Sequence, residues 1–140
     1  MLFVNNNGKV LLASEPAIEA GSRAFLYGDG VFESVRIIHG KPINLTAHIQ
    51  RLFKGADILK IRIPSYLTQE VFYEKILELL EKSEIKSGGK CRISIDRSAG
   101  GTYKPTSNEA TYFIEVWPIE ENDFLLNYKG LEIDVYKDIK

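Results

Sequence analysis

Cysteine is nearly absent. Cys91 is the single one in 140 residues, so no disulfide can close within the chain. Together with only two histidines it makes a poor set of metal ligands, and no metal is expected. An excess of either charge is also missing. Eighteen Lys and Arg stand against nineteen Asp and Glu, a formal net charge of -1. Such a balance gives no general pull toward a nucleic-acid backbone or an anionic membrane. No apolar run approaches the roughly 20 residues of a membrane-spanning helix. The first residues, MLFVNNNGKV, lack the basic and then apolar layout of a signal peptide. The expectation is a cytoplasmic protein with no nucleic-acid or membrane partner.

What is present suits a globular domain. Apolar residues make up 44% and charged residues 26%, and a chain of this length can bury one good core. Residues 1–4 read as a short strand, and Asn5-Asn6-Asn7-Gly8 as a turn before a return strand over 9–13. Residues 32–38 are rich in Val, Ile and Phe; His39-Gly40-Lys41-Pro42 breaks them before 43–45. Thr46 is the expected cap of a helix whose apolar stripe is Ile49, Leu52, Phe53, Ala56 and Leu59. Thr68 should cap a second helix, with Glu70 near its positive end and Phe72, Ile76, Leu79 and Leu80 buried. Residues 90–96 and 110–117 alternate as strands, joined by a long Gly/Ser/Thr/Pro loop over 98–108. Residues 131–136 alternate again.

The pattern predicts an α+β fold, a mainly antiparallel sheet with two helices packed on one face. Residues 1–118 should form one small domain and 119–130 a linker. Residues 131–140 should begin a further, truncated domain, since their strand lacks a partner.

Three groups of residues invite chemistry. Arg51 lies off the apolar stripe of its helix, and a guanidinium pairs well with phosphate oxygens. Gly55 and Ala56, one turn on, are small enough for close approach. Tyr27-Gly28-Asp29-Gly30-Val31-Phe32-Glu33 is a turn leading into a strand. Phe32 is either a core residue or a pocket wall, and the Tyr27 hydroxyl needs a partner if buried. Glu33 reads as an ion-pair member. Arg92 and Arg97 flank the run Ile93-Ser94-Ile95-Asp96 ahead of the loop Ser98-Ala99-Gly100-Gly101-Thr102-Tyr103. Each arginine is either a surface charge or a carboxylate clamp.

The stretch over residues 23–59, with Gly28-Asp29-Gly30-Val31-Phe32-Glu33 and His48-Ile49-Gln50-Arg51-Leu52, closely resembles the N-terminal signature of the fold-type IV pyridoxal-phosphate enzymes. This is the superfamily of class IV aminotransferases, with branched-chain aminotransferase and aminodeoxychorismate lyase. The resemblance implies that Arg51 binds the phosphate of pyridoxal 5'-phosphate. It implies that Tyr27, Phe32, Arg92, Arg97 and Tyr103 line the pocket for a small amino acid or 2-oxo acid. It also implies a homodimer. In such enzymes a lysine beyond the strand resembling residues 131–136 holds the cofactor covalently, and Lys140 comes too early for it. The expectation is therefore no catalytic residue in this chain, and an N-terminal part of an aminotransferase of branched-chain type. The lyase of the same fold is one alternative. A non-catalytic binding or assembly domain is the other.

Overall fold

The computed structural model describes residues 1–15 and 18–135. In chain order its elements are β1 (Phe3–Asn6), β2 (Lys9–Leu12), α1 (Arg23–Tyr27), β3 (Gly30–Ile38), β4 (Lys41–Pro42), α2 (Leu45–Ile58), α3 (Gln69–Lys82), β5 (Gly89–Arg97) and β6 (Ala110–Pro118). The strands form one six-stranded sheet in the order β2-β1-β6-β5-β3-β4. All pairings are antiparallel.

Strand periodicity decides which side of this sheet is covered. Cys91, Ile93 and Ile95 of β5 share a face with Val35 and Ile37 of β3 and with Ile114 and Val116 of β6, and all are buried. On that face lie Leu45, Ile49, Leu52 and Ala56 of α2, and Phe72, Ile76, Leu79 and Leu80 of α3. The expected stripe of α3 and most of that of α2 thus form one layer with the core, but Leu59 lies just past α2 and is exposed and Phe53 is only partly buried. Thr68 caps α3, its hydroxyl accepting from the Val71 amide, and Glu70 stands in the first turn. In the β1–β2 hairpin, Asn6 pairs with Lys9, leaving Asn7 and Gly8 at φ 51° and 91°. Two positive φ values in a two-residue loop are what strand twist demands, and Asn-Gly supplies them at little cost.

Several expectations are corrected. Helix α2 starts one residue before Thr46, and its N-cap is Asn44 at φ 54° with no side-chain capping bond. The chain leaves the β3–β4 hairpin through a left-handed turn, which asparagine tolerates and which brings Leu45 into the core. Helix α1 was not expected: five residues are too few to show a period, and it ends on Gly28 at φ 63°. Residues 131–135 are not a strand. Leu131, Ile133 and Val135 are all exposed, and no strand among the described residues offers them a ladder. Tyr136 and the residues after it lie outside the described residues.

Residues 119–122 are strapped to the β3–β4 end of the sheet. The Ile119 amide donates to the Gly88 carbonyl at 3.1 Å, and the His39 amide to Asn122 Oδ1 at 2.8 Å. Arg36 donates to the Glu121 carbonyl. Gly88 makes this approach possible, since a Cβ there would sit 2.4 Å from the Glu121 carbonyl oxygen and 2.6 Å from that of Ile119. Both are backbone atoms and cannot step aside cheaply. Gly88→Ala should therefore release the strap, at a cost of about 1–3 kcal/mol. Limited proteolysis should find new cleavage within 119–123; an unchanged digestion pattern would contradict this account.

Candidate active-site face

The face of the sheet away from the helices carries a different set of side chains. Register aligns Phe32 with Ser94 and Phe113, Ser34 with Arg92 and Glu115, and Gly30 with Asp96 and Thr111. Helix α1 and the loop after β5 rise at one end. Between them and the sheet lies a cavity of about 430 Å³, lined among others by Asn6, Phe25, Arg92, Asp96, Phe113 and Glu115. A smaller one of about 240 Å³ adjoins it between Ala24, Gly28, Phe32, Arg92 and Asp96. Apolar walls with a few converging polar groups are the usual make-up of a small-molecule site.

Arg92 stands at the centre. Its guanidinium carbon lies 3.8 Å from the Phe32 ring centroid, and its Nε reaches Ser94 Oγ at a weak 3.4 Å. The stack fixes the plane of the guanidinium and leaves its edges open. The side chains of Asp96 and Glu115 form no hydrogen bond or ion pair among the described residues. Burial pushes Asp96 up to about 6, with Arg92 opposing and Asp29 adding to the shift. Burial also raises Glu115, against the pull of Arg92 and Lys90.

Arg97, expected at the substrate pocket, directs its guanidinium to protein partners. Its side chain is 9% exposed, and every nitrogen is engaged. Nε donates to Asp29 Oδ2 at 2.9 Å, Nη2 to the Leu59 carbonyl at 2.6 Å, and Nη1 to the Lys60 carbonyl at 3.4 Å and to Asn108. The cause is strand alternation: five residues along one strand carry Arg92 and Arg97 to opposite faces. Arg97 locks the end of α2 to the start of the loop, with four of its five guanidinium hydrogens taken up by protein oxygens.

Asp29 and Arg23 complete this lock and were not singled out in the sequence. Arg23 Nε donates to the same Asp29 oxygen at 2.7 Å, and its Nη1 to the carbonyls of Gly100, Gly101 and Thr102 at 3.2, 3.3 and 2.8 Å. Burial alone would raise the Asp29 carboxyl, but the two arginines outweigh it and hold it below its usual range. The glycine-rich loop is thereby shaped from inside. It presents Tyr103 outward at 97% exposure, while Tyr27 at the end of α1 is 46% exposed and stacks on Arg23 at 4.8 Å.

Arg51 sits on the helix side of β3, opposite Phe32, so the two flank β3 rather than share a cavity. Its Nε and Nη2 each donate to one oxygen of Glu33 at 2.5 Å, and His48 Nδ1 lies 2.8 Å from Glu33 Oε2. Arg51 first, then His48, lower the Glu33 carboxyl against its burial. The Arg51 side chain is 65% exposed and that of Glu33 only 9%. Gly55 and Ala56 serve packing and not ligand approach. A Cβ on Gly55 would stand 3.1 Å from Val31 Cγ1, and Ala56 is fully buried. No helix among the described residues is long and apolar enough to cross a membrane, and no group of three potential metal ligands occurs among them.

Comparison with known proteins gives this arrangement a context. Residues 30–127 match the model of the family described as amino-transferase class IV. A putative branched-chain-amino-acid aminotransferase of Methanocaldococcus jannaschii is 34% identical over 94 residues, 67% of this chain and 32% of the relative. The aminodeoxychorismate lyase of Bacillus subtilis is 32% identical over 100 residues, 71% of this chain and 32% of that protein. Among solved structures, a branched-chain aminotransferase from Thermoproteus uzoniensis with norvaline superimposes with a TM-score of 0.75 at 21% identity, over 86% of this chain and 41% of its own. A hypothetical aminotransferase from Mycobacterium tuberculosis, in its PLP-bound form, gives 0.67 at 24% identity, over 83% of this chain and 39% of its own. The chain thus spans about a third of the length of the curated relatives it matches. The family match covers well over half of the chain, including β3, the helix that bears Arg51 and the strand that bears Arg92, and on that ground the chain belongs to the class IV amino-transferases.

Proposed function

We propose that this chain supplies the phosphate-binding arginine and one wall of the substrate pocket of a pyridoxal-phosphate-dependent aminotransferase. Its substrates would be branched-chain amino acids and their 2-oxo acids. The observation that carries the reading is Arg51: an exposed guanidinium, anchored along one edge by Glu33, with no partner on Nη1 among the described residues. A phosphate needs such a permanently charged planar donor, so the residues present fit the cofactor. When bound, pyridoxal phosphate holds the substrate's amino group and draws electrons from its α-carbon.

The chain's own residues then have separate tasks. Arg51 holds the phosphate on one flank of β3. On the other flank, Arg92, fixed in plane by Phe32, offers its free edges to a substrate carboxylate. Phe32 provides an apolar wall suited to an aliphatic side chain, and Tyr27 and Tyr103 stand at the mouth. Residues 1–118 are the small domain in this reading, and 119–130 lead onward from it. The exposed Phe25, Leu26 and Tyr103 favour a homodimer, since large apolar groups gathered on one rim usually meet a partner. The aminodeoxychorismate lyase reading stays as the second, supported by the relative from Bacillus subtilis.

The test is cofactor binding. In the whole protein that contains this chain, Arg51→Ala should weaken equilibrium binding of pyridoxal phosphate on the order of ten- to a hundredfold. Absorbance titration measures it. An unchanged affinity would remove Arg51 from the site and the reading with it.

A further inference from the structure

The Arg51–Glu33 pair has an unusual division of exposure. The arginine is largely in water, and the carboxylate that holds it is nearly buried. Exposed ion pairs between two mobile side chains contribute little. Here one partner is rigid. Glu33 lies mid-strand in β3, paired with Ile93 of β5, and its carboxylate is fixed from a second side by His48. A carboxylate can only accept, so the His48 nitrogen facing it carries the hydrogen. The 3.2 Å between that nitrogen and Arg51 Nη2 is then a contact and not a bond.

The geometry of the pair is side-on. Glu33 Oε1 takes the Nε hydrogen and Oε2 takes one from Nη2. That leaves Nη1, with two hydrogens, without a partner among the described residues, on a side chain that is 65% exposed. A flexible arginine would have to surrender rotamer freedom on meeting an anion. This one has already surrendered it to Glu33.

We infer that Glu33 is a positioning residue for phosphate recognition: it holds one edge of the Arg51 guanidinium so that the opposite edge faces the incoming phosphate. The inference rests on reading Arg51 as the phosphate ligand and adds to it. It opposes a simpler expectation, that Glu33 is an internal anion competing with phosphate for the same arginine. The two accounts differ in sign. Loss of a competitor tightens phosphate binding, and loss of a positioning residue weakens it. The free Nη1 edge and the second hydrogen bond to Glu33, from His48, favour positioning, because Glu33 need not leave for a phosphate to bind.

The experiment uses two probes on the whole protein, pyridoxal phosphate and pyridoxal, which lacks the phosphate. Glu33→Gln keeps the volume, but its amide would turn a donor toward one guanidinium nitrogen. It should raise the dissociation constant for pyridoxal phosphate about five- to tenfold. The constant for pyridoxal should stay unchanged. Glu33→Asp keeps the charge, shortens the reach by one methylene and should lose affinity in the same direction. In an Arg51→Ala background, Glu33→Gln should have no further effect. Unchanged or tighter binding of pyridoxal phosphate by Glu33→Gln overturns the inference, as does an equal loss for pyridoxal, which would mark general damage. If Arg51→Ala itself leaves affinity unchanged, the underlying reading has failed. If Arg51→Ala weakens binding and Glu33→Gln does not, only the positioning role has failed.

Discussion

Asp29→Ala should cost about 3–5 kcal/mol of folding stability, the range for removing one partner from a buried ion pair. One oxygen of Asp29 accepts from both Arg23 and Arg97, at 2.7 and 2.9 Å, and the side chains of Arg23, Asp29 and Arg97 are only 5, 13 and 9% exposed. Without the carboxylate two guanidinium groups face each other in a space nearly closed to water. Their other bonds, to loop carbonyls and Asn108, do not neutralise them. The loss is a large part of the 5–15 kcal/mol that usually holds a domain together. Asp29→Asn keeps an acceptor but not the charge, and should cost less. Urea denaturation measures both. A loss below about 1 kcal/mol for the alanine variant would mean that water reaches the cluster and screens it.

The same residue carries a pH signature. Its folded carboxyl titrates below its ordinary value. The unfolded chain therefore binds this proton more readily, and acid favours unfolding. The contribution is complete above the ordinary carboxylate range and drains away as pH falls below about 4, through the folded value. The stability gap between wild type and Asp29→Ala should narrow in that window. A gap constant down to strongly acidic pH would contradict the assignment.

That the lock was missed in the sequence has a clear reason. Between Gly28 and Gly30, Asp29 reads as a turn residue, and turn residues commonly carry no partner. Arg23 is six residues away and Arg97 sixty-eight. No local period reveals a contact across that separation. The contacts of Arg97 are hidden for a related reason: an arginine ahead of a glycine-rich loop looks free until the helix end at Leu59 and Lys60 is folded against it. By contrast β5, β6 and α3 were legible residue by residue, because one face of each is buried and the period of burial is written in the side chains. The failures at the helix ends are also local. Asn44 caps α2 by backbone conformation and not by its side chain, so no capping motif marks it. The alternation over 131–135 shows that period two is necessary for a strand and not sufficient; the ladder has to be supplied from elsewhere. Arg51 was legible as a type and a position. Its tether to Glu33, which gives the guanidinium a direction, came only with the fold.

Phe72→Ala should be comparably severe, about 3–5 kcal/mol, through a different cause. Phe72 is fully buried at the junction of the two helices with the sheet. Its ring stands 6.1 Å from that of Phe53 on α2, tilted by 59°, and 5.7 Å from that of Tyr112 on β6, nearly edge-on at 77°. Such aromatic pairs add about 0.5–1.5 kcal/mol to what area burial provides. Truncation opens a void among Phe53, Tyr112 and the aliphatic core that three separate elements cannot close together, because each is also held by its own ladder or helix bonds. Phe72→Leu refills much of the space without the ring edges, so it should lose roughly half as much. The order of the two variants is the informative result. Equal losses would mean that the aromatic geometry is the whole of the effect. A loss under about 1 kcal/mol for alanine would show that α3 can sink onto the sheet to fill the gap, and that the helix layer holding Arg51 in place is softer than its packing implies.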